Sequence, residues 1–561
     1  MTLEDQTACW AVDSFAMTCS RFALCNLPTD PAHGAPSAEN RTPKRPECRG
    51  RLRCLAGSLL TTMVAVFASG ALAQTLPPEV DAALQRAKVP REAVTLLVVD
   101  VQGKAAARLS HRANVPVNPA SIMKLVTTYA ALDLLGPAYS WSTPVYVEGA
   151  VRDGTLFGNL YIKGQGDPKL VSERLWLLLR RVQGLGVKSI AGDIVLDRSA
   201  FEAVVVDPSS FDGEPLRPYN AAPDALLLNF KSVVMTFVPD RTAHTAQVQY
   251  EPPLAGVRMQ GSVPLLAGDC NGYRAALKPD FSDPAHIRFN GGYPASCGEK
   301  VWGVAYADAA SYATRAVEGM WREMGGKLAG AVLEGRVPSP QGIALKPAFE
   351  VTSPPLPEVI RDINKYSNNV MAQQVFLTLS LQARAAASSA TGNVSSSSAA
   401  GSVTSTAASS PATPRSAAVS GGEAATLAAS RDIVQRWWRS TISAEDVPTI
   451  DNGSGLSRTD RITAQALARL LQSAYASPYM PELMSSLPIS GVDGTLRRSR
   501  SKAQGSAHLK SGSLANVVGA AGYVLAASGR RYVLVMIVNH PNASAARPAI
   551  EALLDWTMKD N

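Results

Sequence analysis

The hydrophobic positions change period several times along the chain. Residues 95–101 (TLLVVDV) form an almost unbroken apolar run of the buried-strand kind. After a turn at Gly103-Lys104, the segment 105–109 reads as a returning strand. Residues 121–135 switch to helical spacing and stop at Gly136-Pro137. Between about 140 and 340, short alternating strands at 145–148, 160–163, 192–196 and 246–250 lie among many Gly and Pro turns, with one helical stretch at 172–184. This middle region reads as one or two separate β-rich lobes. Helical spacing returns at 357–364 and 370–379. Strands are expected at 507–511, 519–526 and 531–539, and an amphipathic helix at 545–558 follows them. Strands joined by turns this short pair antiparallel, with the helix packed on the sheet.

One stretch breaks the pattern. Residues 385–422 are almost entirely Ala, Ser, Thr and Gly, with Arg415 as the only charge. Such a segment buries too little apolar surface to offset its ordering entropy, and it reads as a disordered surface insertion between helical flanks.

Composition narrows the class. The chain has 561 residues, 46% hydrophobic and 18% charged, enough apolar material for a large core. Disordered, collagen-like and coiled-coil chains are excluded. Its 54 Lys+Arg against 46 Asp+Glu give a net charge of +8, without a basic stripe interleaved with aromatics, so nucleic acid is not an expected partner. A mildly basic surface suits an anionic polymer or peripheral association with a membrane face, and equally an ordinary soluble surface.

A single stretch approaches membrane-spanning length. Residues 55–73 (LAGSLLTTMVAVFASGALA) follow Arg49, Arg51 and Arg53 and end in Ala71-Leu72-Ala73. A basic flank, an apolar run and a small-x-small end describe a secretory signal with Gln74 as the mature N-terminus, an uncleaved anchor being the alternative. The aperiodic segment 1–48 is expected to be a non-structural upstream piece. Five of the seven Cys lie before Gln74, leaving Cys270 and Cys297. In an oxidising compartment these two can close a bridge, or they can remain two buried thiols. His is scarce and no C-x-x-C occurs, so neither a metal nor another cofactor is expected.

The candidate chemistry begins at Ser121-Ile122-Met123-Lys124. At a helix start, i and i+3 share a face, so this hydroxyl and this amine can meet. The free N–H groups there favour a developing oxyanion. A serine needs a base, and Lys124 can serve if burial or a second cation lowers its pKa. Ser367-Asn368-Asn369 sits between two helical stretches, where a polar turn can present a hydroxyl for proton relay and an amide for a substrate carbonyl. Lys510-Ser511-Gly512-Ser513 lies on a predicted strand. Lys510 supplies the second cation and, with Ser511, a hold on a substrate carboxylate. Gly512 lets an extended peptide approach, and the N–H of Ser513 completes an oxyanion hole with that of Ser121.

These are S-x-x-K, S-x-N and K-[T/S]-G elements in order, the set of serine β-lactamases and penicillin-binding proteins. From about residue 93 the chain more closely resembles the D-alanyl-D-alanine carboxypeptidase/endopeptidases, class C low-molecular-mass penicillin-binding proteins of the penicillin-binding protein 4 type. The carriers are NPASIMK (118–124), IKGQGDPKL (162–170), KYSNNVMAQ (365–373), DNGSGLSR (451–458), GVDGT (491–495) and HLKSGSL (508–514). The long gap between Lys124 and Ser367 matches a family that inserts two domains there, and a Cys pair in that region also fits.

The resemblance implies an α/β (α+β) fold: a transpeptidase-like domain with an antiparallel sheet flanked by helices, plus two inserted β-rich domains. The peptidase domain would comprise 78–142 and 345–561, the second domain 143–225 and 301–344, and the third 226–300. It implies a periplasmic hydrolase of D-Ala-D-Ala bonds and peptidoglycan cross-links that binds β-lactams covalently. Ser121 would be the nucleophile, Lys124 the proton acceptor, Ser367 and Asn369 relay and substrate contact, and Lys510 the carboxylate holder. An acidic residue, Glu214 or Asp212, would meet the diaminopimelate amine. Ser511 stands where Thr is commoner, but keeps the hydroxyl.

Rival readings are a β-lactamase, for which no deacylating Glu is evident, and a non-catalytic peptidoglycan-binding module. Asp451, Ser454 and His508 lack the G-x-S-x-G elbow of a Ser-His-Asp triad. Gly164-Gln165-Gly166-Asp167 reads as a β-turn rather than a phosphate loop.

Overall fold

The computed structural model describes residues 75–339, 345–394 and 424–560. The expectations for 1–48, for the signal at 49–73 and for 395–422 of the Ala/Ser-rich stretch lie outside these residues.

The central sheet has five strands: β1 (Val94–Asp100), β2 (Leu109–His111), β3 (Ala507–Leu514), β4 (Val517–Leu525) and β5 (Arg531–Asn539), in the order β2-β1-β5-β4-β3. Every pairing is antiparallel. Chain start and chain end therefore meet in one sheet, with Val94 opposite Val538 and Asp100 opposite Tyr532. The returning strand pairs at 109–111 rather than 105–109. Arg108 instead lies over the rings of Trp556 and Tyr532 and donates to the carbonyl of Thr557.

Period-two alternation divides the sheet's side chains between two cores. Leu97, Val99, Ala521, Tyr523, Val533, Val535 and Ile537 pack against helices on one face. Those helices include α2 (Lys124–Leu135), α3 (Leu356–Tyr366), α4 (Asn369–Val394), α5 (Leu427–Thr441) and α6 (Ala464–Ala476). Leu96, Val98, Leu509, Val518, Leu534 and Met536 pack on the other face against α1 (Pro78–Arg86) and the C-terminal helix α7 (Arg547–Lys559). A strand covered on both faces has no polar side, which is why 95–101 lacks alternation. Helix α4 runs on to Val394, so the first ten residues of the Ala/Ser-rich stretch are helical instead of disordered. Alanine extends an already nucleated helix readily.

Between α2 and α3 lie further sheets. One has the order 332–334, 194–197, 160–163, 142–147, 349–352. Another joins Tyr293–Pro294, Ser262–Leu266, Thr245–Glu251, Ser232–Asp240 and Lys300–Ala305. Helices Ser172–Gly184 and Tyr312–Glu323 pack with them into a separate core. Tyr312–Glu323 went unforeseen: its apolar positions face that core, but they lie in a region dominated by turn residues. Cys270 and Cys297 are bridged.

Polar contacts tie this region to the helices that carry the site. Lys169 pairs with Asp362 on α3 at 2.5 Å. Asp224 and Gln374 on α4 exchange two bonds of 2.8 Å, backbone N–H to side-chain oxygen and side-chain amide to backbone carbonyl. Gly164 and Gly166 form a structural turn: their N–H groups donate to the carbonyls of Asp197 and Ala225, and a Cβ on Gly164 would stand 2.3 Å from the Ala225 oxygen. Among the described residues no helix is long and apolar enough to cross a membrane.

Candidate active site

The sequence NPASIMK builds its own platform. Residues Ala120–Met123 form one 3₁₀ turn before α2 begins at Lys124. In a 3₁₀ turn side chains at i and i+3 eclipse, so Ser121 and Lys124 stack directly. Lys124 Nζ lies 3.0 Å from Ser121 Oγ. Ala120 holds φ 50°, a left-handed conformation that costs an L-residue about 1–2 kcal/mol and that the surroundings must enforce. Asn118 does so: its Oδ1 accepts the N–H of Ala120 at 2.8 Å, its Nδ2 donates to the Ser457 carbonyl at 2.8 Å, and its backbone pairs with the Asn539 amide at the end of β5.

Lys124 is wholly buried, and its amine has two further neighbours. Asn369 Oδ1 lies at 2.6 Å and the Ser454 carbonyl at 2.5 Å. A neutral amine has two hydrogens and one lone pair. The two carbonyl-type acceptors take both hydrogens, which leaves the lone pair for the Ser121 hydroxyl. Burial, and secondarily the nearby Lys510, hold the Lys124 pKa well below the ordinary lysine range, while the Asp460 carboxyl opposes them. The same burial pushes Asp460 up to about 7.

Ser367 caps α3 with φ 60° and ψ 36°, another left-handed non-glycine residue. Its Oγ accepts from Lys510 Nζ at 2.9 Å, and Lys510 also donates to the Ser511 carbonyl at 2.7 Å. Lys510 has no solvent exposure, and burial pushes its pKa down to about 7. Two residues before Ser367, the buried Lys365 pairs with Asp493 at 2.6 Å. That pair anchors the GVDGT loop, whose Thr495 Oγ1 lies 2.7 Å from Ser511 Oγ.

The strand β3 passes the nucleophile turn with almost no clearance. A Cβ on Gly512 would stand 2.6 Å from the carbonyl oxygen of Pro119. The structure therefore brings Ser121, Lys124, Asn369, Ser367 and Lys510 together, with Ser511, Gly512 and Ser513 alongside.

Glu214 does not join them. It is exposed and pairs within its own loop, with Arg217 at 3.4 Å. Asp212 is better connected, because it accepts from the Tyr219 hydroxyl and from Asn220 Nδ2, each at 2.8 Å. The Tyr219 carbonyl in turn lies 3.4 Å from Asn369 Nδ2. No triad forms at Ser454, whose hydroxyl donates to Asn452 Oδ1 at 2.6 Å; His508 instead faces the Met484 carbonyl.

The local sequence assigns no role to the Ser454 carbonyl or to Thr495. The signals were present, since Gly453 and Gly455 flank Ser454 and both hold positive φ. Glycines on both sides of one residue mark a loop pressed against another backbone.

The sequence profile of the D-Ala-D-Ala carboxypeptidase 3 (S13) family matches residues 76–403 and 414–560. The chain belongs to that family. This agrees with the resemblance carried by the motifs, and it makes the chain a D-Ala-D-Ala carboxypeptidase, a serine-type hydrolase. The chain is 26% identical over 499 residues to the D-alanyl-D-alanine carboxypeptidase of Actinomadura sp. (strain R39), covering 86% of this chain and 84% of the relative. It is 24% identical over 426 residues to the D-alanyl-D-alanine carboxypeptidase DacB of Haemophilus influenzae, covering 75% and 80%. Among solved structures, penicillin binding protein 4 from Haemophilus influenzae superposes with a TM-score of 0.60 at 20% identity, over 85% of this chain and 99% of that one. That likeness is one of fold.

Proposed function

We propose that Ser121 is the nucleophile of this family member and that Lys124 is its base. The observation that carries the reading is the buried Lys124 amine, which lies 2.6 Å from Asn369 Oδ1, 2.5 Å from the Ser454 carbonyl and 3.0 Å from Ser121 Oγ. Attack of Oγ on the penultimate D-Ala carbonyl transfers the hydroxyl proton to Lys124. The tetrahedral oxyanion is held by the N–H groups of Ser121 and Ser513. Support for Ser513 comes from strand geometry. β3 is an edge strand, and its Leu509 N–H points outward to the Pro488 carbonyl. Ladder alternation turns the N–H groups of Ser511 and Ser513 to that same open edge.

Collapse of the oxyanion expels the leaving D-amino acid, whose nitrogen takes a proton through Ser367, backed by Lys510. Water then attacks the acyl-Ser121 ester and gives its proton through Ser367 to Lys510, while Lys124 returns the proton it took to the departing Ser121 Oγ, so that both amines and the serine end as they began. Lys510 and Ser511 face the leaving residue's carboxylate. The same chemistry opens a β-lactam ring, leaving penicillin on Ser121, and cleaves a D-Ala–diaminopimelate cross-link. For the diaminopimelate amine the better-connected carboxylate is Asp212, not Glu214.

We also propose that the chain is exported to the periplasm through 49–73. The inserted domains would begin after residue 142, with the boundary that sequence reading put at 300/301 moved beyond residue 305, because Lys300–Ala305 pairs with Ser232–Asp240.

Intact-protein mass spectrometry with benzylpenicillin tests the nucleophile. Wild type gains one penicilloyl group, and Ser121→Ala gains none. A labelled Ser121→Ala would mean that another residue is acylated. Mass spectrometry of products from cross-linked muropeptides separates carboxypeptidase from endopeptidase action.

A further inference from the structure

Lys510 is poorly suited to holding a carboxylate alone. Its ammonium is fully buried, it is spent on Ser367 and the Ser511 carbonyl, and burial leaves it only partly charged near neutral pH. A second basic group stands beside the same strand. Arg547, the first residue of α7, donates from Nη2 to Ser513 Oγ at 2.8 Å.

Three features make this guanidinium available to an anion. It is exposed, and it makes no ion pair among the described residues. The first turn of α7 contains no acidic residue. The next acid along, Glu551, is turned away to accept the Arg500 N–H at 2.8 Å. A cation at the positive end of a helix with no counter-ion is mildly destabilising, so its placement calls for a reason other than stability.

Ser511 and Ser513 are two residues apart on one strand, so their hydroxyls project on the same side roughly 7 Å from each other. A carboxylate between them can accept from both. The planar fork of an arginine matches such a group in a way an ammonium does not.

We infer that Arg547, acting with the Ser511 and Ser513 hydroxyls, binds the C-terminal carboxylate of the substrate. This rests on the D,D-peptidase reading above.

The test compares two substrates on the purified chain. One is an acyl-D-Ala-D-Ala peptide with a free C-terminus. The other is the matching acyl-D-alanine ethyl thioester, whose leaving group carries no carboxylate. Selectivity for the free acid, as the ratio of kcat/KM values, should fall about 10- to 100-fold in Arg547→Gln, mostly through KM. Arg547→Lys, which keeps charge but loses the fork, should fall less. Equal losses on both substrates would show a structural role and overturn the inference, as would an unaltered ratio in Arg547→Gln. A wild-type chain that cleaves neither substrate and takes no penicillin on Ser121 would overturn the peptidase reading itself, a result distinct from either.

Discussion

Replacing Gly455 with alanine places a methyl group where the nucleophile turn already stands. The new Cβ would lie 2.1 Å from the Ala120 oxygen, 2.6 Å from the Ala120 carbonyl carbon and 3.0 Å from Ser121 Cα. These are backbone atoms and cannot rotate aside. Gly455 also holds φ +76°. The left-handed conformation costs an alanine about 1–2 kcal/mol. Overlap in a packed site adds about 1–3 kcal/mol. If the fold absorbs both, stability falls by about 2–5 kcal/mol and the melting temperature by several degrees. If the loop retreats instead, a shift on the order of 1 Å removes the Ser454 carbonyl from Lys124. A displacement of that size costs roughly 10²-fold in rate. Stopped-flow acylation by a chromogenic cephalosporin, together with thermal melting, measures both. A Gly455→Ala protein that melts with wild type and acylates within about threefold of it would refute the claim that this loop is pressed against Ala120 and orients the base.

Further outcomes follow from the same geometry. Asn369→Asp puts a carboxylate 2.6 Å from Lys124 in place of a neutral amide oxygen. An adjacent opposite charge raises an amine's pKa by roughly 1–3 units, so the acid limb of the acylation pH profile should move upward by that amount, with a loss of at least about tenfold at neutral pH. Lys510→Met removes a cation that depresses Lys124, so it too should move the acid limb upward, while abolishing the relay to Ser367. The pH dependence of its stability should change as well. Lys510 has a folded pKa of about 7, below its unfolded value, so the unfolded chain binds more protons between about pH 7 and 10. The Lys510 contribution to stability therefore rises with pH across that window, and urea titrations at its two ends should show stability changing less favourably with pH in Lys510→Met than in wild type. Breaking the Cys270–Cys297 bridge, which spans a sequence separation of 27, should cost about 3–4 kcal/mol by loop-closure entropy, read as a lower unfolding midpoint of the double Cys→Ser variant.

Local chemistry made much of this protein legible before any coordinates. The run at 95–101, the helix at 172–184 and the strand at 531–539 announce themselves through period, and period is a property of neighbouring residues. The order of S-x-x-K, S-N-N and K-S-G was enough to name the five side chains that meet, because each motif carries its own local context: a turn, a helix cap and a strand.

What the order of residues left open is where backbone must touch backbone. Nothing local in the strand 507–514 says that Gly512 will face Pro119, or that the Ser454 carbonyl will take one hydrogen from Lys124. Those contacts exist because the first strand of the sheet pairs with the last, across more than 400 residues of intervening chain, and carries the nucleophile turn against the closing strand. The charge states follow from the same closure. A lysine is an ordinary cation in the sequence. It becomes a base when two amines from distant segments are packed into one dry space where neither is readily kept protonated.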